Sequence, residues 1–119
     1  MQRLITAILF TATLFTANAH SAATGTMSVA DYEASKADNK SWQVTQVYLN
    51  GVGVGAALTA ATLAQKSRPT LFCQPEAIEL NSKSYLKLID AFIRKNDIPA
   101  DTAIESVLIM ALVVAFPCS

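Results

Sequence analysis

The chain has 119 residues, 52% of them hydrophobic, with nine basic side chains, nine acidic ones and a single histidine. This balance gives no electrostatic reason to expect nucleic acid or an anionic membrane surface as a partner, and the length is that of one domain. At such a size folding hides only about 60% of the potential surface, so a covalent staple or a second subunit would add much to stability.

Met1-Gln2-Arg3 is short and positive, Leu4 to Thr16 is uncharged and rich in Leu, Ile, Phe and Ala, and Ala17-Asn18-Ala19 follows. That order reads as a secretory signal peptide with cleavage expected after Ala19, Ser21-Ala22-Ala23 being a second candidate point. The 13 apolar residues fall short of the roughly 20 that span a bilayer as a helix, and no Cys stands at the cut to carry a lipid. The sequence therefore predicts residues 1–19 as a signal peptide and an exported mature chain with no membrane segment. Removing Arg3 leaves eight basic against nine acidic residues, a net charge of −1. Residues 20–27 are small and polar without periodicity and read as a flexible mature N-terminus, ahead of a single helical domain over 28–119.

Ser28, with Asp31 three positions on, predicts a capped helix through Lys36, interrupted at Ala37-Asp38-Asn39-Lys40. A long helix is expected from Ser41 to Gln65, with Trp42, Leu49, Val52, Ala56, Ala60 and Leu63 on one face. Gly51, Gly53 and Gly55 each cost it about 1 kcal/mol of propensity, which predicts close packing of a neighbouring helix there. Val44 to Ala64 could be read as a membrane span with Gly51 and Gly55 as a small-xxx-small pair, but Gln46, Asn50 and the threonines speak against it. Lys66 to Thr70, with Pro69, reads as a surface loop.

The pattern then becomes plain. Asn81 or Ser82 caps a helix to about Asn96, with Tyr85, Leu88, Ile89, Phe92 and Ile93 inward and Lys83, Lys87, Asp90, Arg94 and Asp97 outward. Asp90 and Arg94, four apart, are placed to pair. Ile98-Pro99-Ala100-Asp101 forms a corner, and a last helix is expected from about Ala100 to Ala115, stopped by Pro117. From Val107 to Phe116 it is apolar on every side and too short to span a membrane, so a homodimer covering part of it is expected. A tight corner makes these two helices an antiparallel hairpin whose open end brings Cys73 and Cys118 together. Only one intramolecular bridge is possible. It closes a loop of about 45 residues, worth roughly 4 kcal/mol by loop-closure entropy. The expected fold is all-α: a small domain of about four helices with a C-terminal antiparallel helix hairpin closed by one disulfide.

No residue set assembles a catalytic centre, and the chain reads as a non-enzyme without metal or cofactor. The one histidine, His20, falls at the mature N-terminus, and both cysteines are committed to the bridge. Glu76 with Glu79 reads as solvated turn residues, and Asp101 with Glu105 as acids at the positive end of a helix dipole. Gly51-x-Gly53-x-Gly55 lacks the spacing and the preceding strand of a phosphate loop.

The C-terminal half carries Phe72-Cys73-x-Pro75-Glu76, an amphipathic helix, Pro99-Ala100, an apolar helix with Ala111-Leu112, and Ala115-Phe116-Pro117-Cys118. With Tyr48-x-x-Gly51 in the long helix, this resembles the type VI secretion amidase immunity family, the Rap/Tai immunity proteins, over residues 42 to 118. Many members carry a further cysteine where this chain has Thr45, and another upstream, so one bridge replaces two. The resemblance implies a periplasmic antidote that binds and occludes a secreted peptidoglycan amidase effector, often as a homodimer. It makes Tyr48, Gly51, Pro75, Phe116 and Pro117 structural motif residues. From this sequence alone the exposed polar elements holding Lys66, Arg68, Arg94, Lys95, Asp97 and Asp101 are the candidate partner contacts. The alternative is a periplasmic helical stress chaperone or an orphan protein-binding module.

Overall fold

The computed structural model describes residues 27–119; the expected signal peptide, cleavage site and residues 20–26 lie outside the described residues. Four helices follow in order, α1 (Val29–Ser35), α2 (Asn39–Gln65), α3 (Ser82–Lys95) and α4 (Ile104–Ala115), with no strand among the described residues. The all-α expectation and the disulfide-closed C-terminal hairpin both hold.

α1 begins on the expected capping box. The Ser28 hydroxyl accepts from the Asp31 N–H at 3.1 Å, and the Asp31 carboxylate accepts from the Ser28 N–H at 3.0 Å. The Ser28 hydroxyl, donating to the Asp31 carboxylate at 2.7 Å, and then the Ser28 N–H hold the Asp31 carboxyl below its usual range. Seven residues are too few for a helix to stand alone, and α1 is instead held by packing. Tyr32 is fully buried and Val29 nearly so.

Backbone pairing adds to this hold in a way the sequence did not announce. Ile104 N–H donates to the Met27 carbonyl, Val29 N–H to that of Thr102 and Ala30 N–H to that of Ala100, at 2.8 to 2.9 Å, around a single antiparallel bridge between Ser28 and Ala103. Met27, expected as the last residue of a loose segment, therefore belongs to the packed domain. The same pairing corrects the start of the last helix. A helix from Ala100 would need the Ile104 N–H for its first hydrogen bond, but that N–H is given to Met27, so α4 begins at Ile104 and Asp101 stays in the corner.

α2 starts two residues before its expected position, because Asp38 caps it by accepting from the Ser41 N–H at 2.8 Å. It ends where Ser67 turns left-handed (φ 51°) and the Arg68 N–H reaches back to the Leu63 carbonyl at 2.9 Å, just ahead of Pro69. Thr45, Leu49, Gly53 and Ala60 are buried along its inner face, with Trp42, Val52, Ala56 and Leu63 half-buried beside them.

Of its three glycines only Gly53 meets a neighbour. A Cβ there would sit 2.5 Å from the Tyr85 ring, whereas Gly51 and Gly55 face open space. The expectation of internal close packing is corrected for those two. Gly51, taken as a structural motif residue, makes no close approach inside its own chain.

α3 is capped by Asn81, which accepts from the Ser84 N–H at 3.1 Å, and buries Tyr85 and Ile89. Tyr85 lies against Gly53 and Asp90 bonds to Tyr32, so α3 runs back along α2 towards α1. The Asp90–Arg94 pair is not formed. Asp90 accepts from the Tyr32 hydroxyl at 2.8 Å and from the Lys36 ammonium at 3.0 Å, because the open side of α3 meets α1 there.

Lys36 also bonds Glu33 and lies 4.4 Å from the centre of the Tyr32 ring, which meets Trp42 edge-on at 5.7 Å. Burial pulls the Lys36 pKa down, but the two carboxylates outweigh it and leave it raised.

α4 buries Ile104, Val107, Leu108, Ala111 and Leu112 as the centre of the core. At the hairpin's open end Cys73 and Cys118 are bonded with Cα atoms 4.9 Å apart. There the Cys73 N–H donates to the Phe116 carbonyl at 2.8 Å, and Phe72 is buried against the same core.

Candidate partner-binding surface

A helix that packs on one side is normally polar on the other. α2 is not. From Ser41 to Gln65 it carries no charged side chain, Lys40 and Lys66 standing just beyond each end. Opposite the buried Thr45-Leu49-Gly53-Ala60 face, Val44, Val47, Gly51, Val54, Leu58 and Ala61 follow one another at alternating steps of three and four, all exposed. Val47 is 74% and Leu58 64% exposed.

Thr59 and Thr62 turn their hydroxyls back onto the carbonyls of Gly55 and Leu58 at 2.8 Å, which removes polarity from this side. The outer stripe has the spacing of a helix–helix seam, and its two open glycines admit a close approach. By length and composition α2 could cross a membrane, and only 11% of its most apolar stretch is buried within the chain.

This relocates the surplus apolar surface expected on α4. There α2, α3 and the flanking segments leave only Met110 and Val114 exposed among its large side chains. The uncovered surface belongs to α2. Its apolar run is split between an inner and an outer face, so no single-face reading of the sequence could separate the two.

Along the second half of α2 the stripe borders a groove of about 480 Å³. Val54, Leu58 and Ala61 form one wall; Phe72 and Leu80 belong to the other, and Glu76 and Glu79 stand at its polar edge. Tyr85 lines the groove and is 1% exposed, yet its hydroxyl donates to no group among the described residues. Burial pushes its phenol pKa up. Neither Glu76 nor Glu79 forms a salt bridge among the described residues.

The motif residues divide. Phe116 packs on the core and offers its carbonyl to Cys73; Pro75 and Pro117 are exposed beside the disulfide. Tyr48, on the flank of α2, donates its hydroxyl to Glu105. Glu105 does lie in the first turn of α4 as expected, but its carboxylate is an internal acceptor, also taking the Met27 N–H at 3.3 Å, while its second oxygen is buried without a partner.

The six polar candidates are all exposed but do not form one patch. Lys66 and Arg68 lie at the disulfide end of α2, whereas Arg94, Lys95, Asp97 and Asp101 lie at the α1 end, where the 99–104 corner meets residues 27–30. A helix of 27 residues separates the two ends by about 40 Å. Among the described residues no three His, Cys, Asp or Glu side chains converge as metal ligands.

The chain matches no protein-family profile, no curated protein and no solved structure.

Proposed function

We propose that this chain is a periplasmic immunity protein that binds a type VI secreted peptidoglycan amidase and occludes its active site, acting through a protein interface without cofactor or catalysis. The observation that carries the binding class is the uncharged, uncovered outer face of α2 on a domain whose core is otherwise closed. An apolar face of this extent on a small exported domain suits a protein partner.

The amidase as partner rests on the motif resemblance. The disulfide supports it by joining the two segments that carry the motifs, Phe72-Cys73-x-Pro75 and Phe116-Pro117-Cys118, at one end of the hairpin. Thr45, standing where relatives carry a cysteine, is 1% exposed and packs its hydroxyl 3.9 Å from the Met27 sulfur. An inward position of that kind suits a bridge to the segment just upstream in relatives that have one.

The polar candidates fall at two ends, and charge reversal at Lys66 and Arg68 against Arg94 and Lys95 tests each end as the amidase contact. A homodimer and periplasmic residence complete the reading.

The test is to direct candidate type VI amidases to the periplasm of a sensitive strain and record lysis with and without the co-expressed full chain. Rescue that disappears when residues 1–19 are deleted supports the reading; failure to neutralise or bind any amidase overturns it. The exposed α2 face also favours a second reading, a periplasmic holdase. Suppression of aggregation of an unrelated denatured client by the purified chain would support that one.

A further inference from the structure

We infer that the outer face of α2 is a self-association surface, on which a second copy of this chain lays its own α2 antiparallel across the Gly51–Gly55 region. The homodimer itself belongs to the reading above; what the structure adds is the surface, the direction and the charge contact that fixes it.

The surface must be self-complementary if two copies share it about a two-fold axis. An uncharged stripe of Val44, Val47, Gly51, Val54, Leu58 and Ala61 meets itself without like-charge repulsion. It lies on one rigid helix and keeps the seam spacing over its whole length. Gly51 and Gly55 cost the helix about 1 kcal/mol each and receive no internal packing in return. A second backbone approaching there accounts for both.

Direction follows from charge. Counted from Gly53, Lys40 lies 13 residues one way and Gln65 lies 12 the other, each about 20 Å along the axis. Antiparallel crossing near Gly53 therefore sets Lys40 of each copy beside Ala61 to Gln65 of the other, at the mouth of the groove that holds Glu76 and Glu79. Those two carboxylates have no cation within their own chain among the described residues, and Lys40, on the outer-face register, has no carboxylate. They also allow Lys40 to approach an end that carries Lys66. Parallel pairing would place Lys40 against Lys40 and leave both glutamates facing solvent.

Sedimentation equilibrium of the purified, oxidised protein at micromolar concentration tests this directly. The expected result is a dimer, weakened about 30-fold by Val47→Glu or Leu58→Glu, the size of an interface hot spot. Circular dichroism should be unchanged in both variants, since neither side chain is part of the core. Lys40→Glu and the double variant Glu76→Lys, Glu79→Lys should each weaken the homodimer about tenfold, and mixing the two should restore association between unlike chains.

A monomer at 100-fold higher concentration overturns the inference. So does a dimer indifferent to both stripe substitutions. Charge variants that fail to rescue one another overturn the antiparallel direction. None of these outcomes depends on amidase binding, so failure here and failure of the immunity reading are read in separate experiments.

Discussion

The Tyr48 hydroxyl on α2 donates to the carboxylate of Glu105 in the first turn of α4, and that carboxylate also accepts from the Met27 N–H. Three segments far apart in the chain thus meet on one side chain. The hydrogen bond to Glu105, with some burial and the nearby charge, pushes the Tyr48 phenol up to about 12.

A raised phenol pKa means that folding favours the neutral form. The contribution is therefore fully present below the ordinary value near 10 and is lost as pH rises through about 12. Denaturant midpoints should fall across this window, and less so in Tyr48→Phe. Tyr32 and Tyr85 are also raised, Tyr32 mainly by burial and its bond to Asp90, so the slope should become shallower and not vanish. An equal slope in both proteins would show that the Tyr48–Glu105 bond does not persist in solution.

The two ends of the Gly51–Gly53 pair should respond oppositely to one methyl group. Gly53→Ala drives a Cβ into the buried Tyr85 ring and should cost about 1–3 kcal/mol. Gly51→Ala meets nothing and should stabilise by up to about 1 kcal/mol through helix propensity. Chemical denaturation in the Val47→Glu background keeps self-association out of the comparison. Equal effects at both positions would mean that α2 and α3 do not cross at Gly53.

Removing the bridge with Cys73→Ser and Cys118→Ser should lower stability by about 4 kcal/mol, as expected for the 45-residue separation. Thermal unfolding with and without reductant checks it. A wild-type transition unmoved by complete reduction would contradict a structural role.

Asp90→Ala leaves the buried Tyr32 hydroxyl without its acceptor and the Lys36 ammonium without one of its two carboxylates. The expected loss is about 1–3 kcal/mol, dominated by the tyrosine because the ammonium keeps Glu33 and remains partly solvated. Arg94→Ala, the partner expected from spacing alone, should change stability by less than about 0.5 kcal/mol. A larger loss at Arg94 than at Asp90 would reverse the assignment.

The sequence made legible whatever is encoded locally: the Ser28–Asp31 box, the amphipathic period of α3, and the hairpin with its single bridge. It misled where a long-range partner decides. Asp90 has Arg94 at the right spacing, but Tyr32 and Lys36 arrive from α1 and take the carboxylate. Ala100 has a favourable sequence for a helix start, but residues 27–30 occupy the backbone groups that helix would need. Gly51, Gly53 and Gly55 look alike in one dimension and differ only in what lies across from them. The outer face of α2 was hidden for the opposite reason: apolar residues on both sides of a helix erase the contrast that reveals either.

The pairing of residues 27–30 with 99–104 sets an order of events. A polypeptide leaves the ribosome N-terminus first, so the extended segment ahead of α1 emerges early while its hydrogen-bonding counterpart arrives some 70 residues later. Until then α1 has neither its backbone partners nor the Asp90 carboxylate for Tyr32. The first segment of this domain to appear is thus among the last to settle, and the domain becomes resistant to digestion only after nearly the whole chain has been delivered.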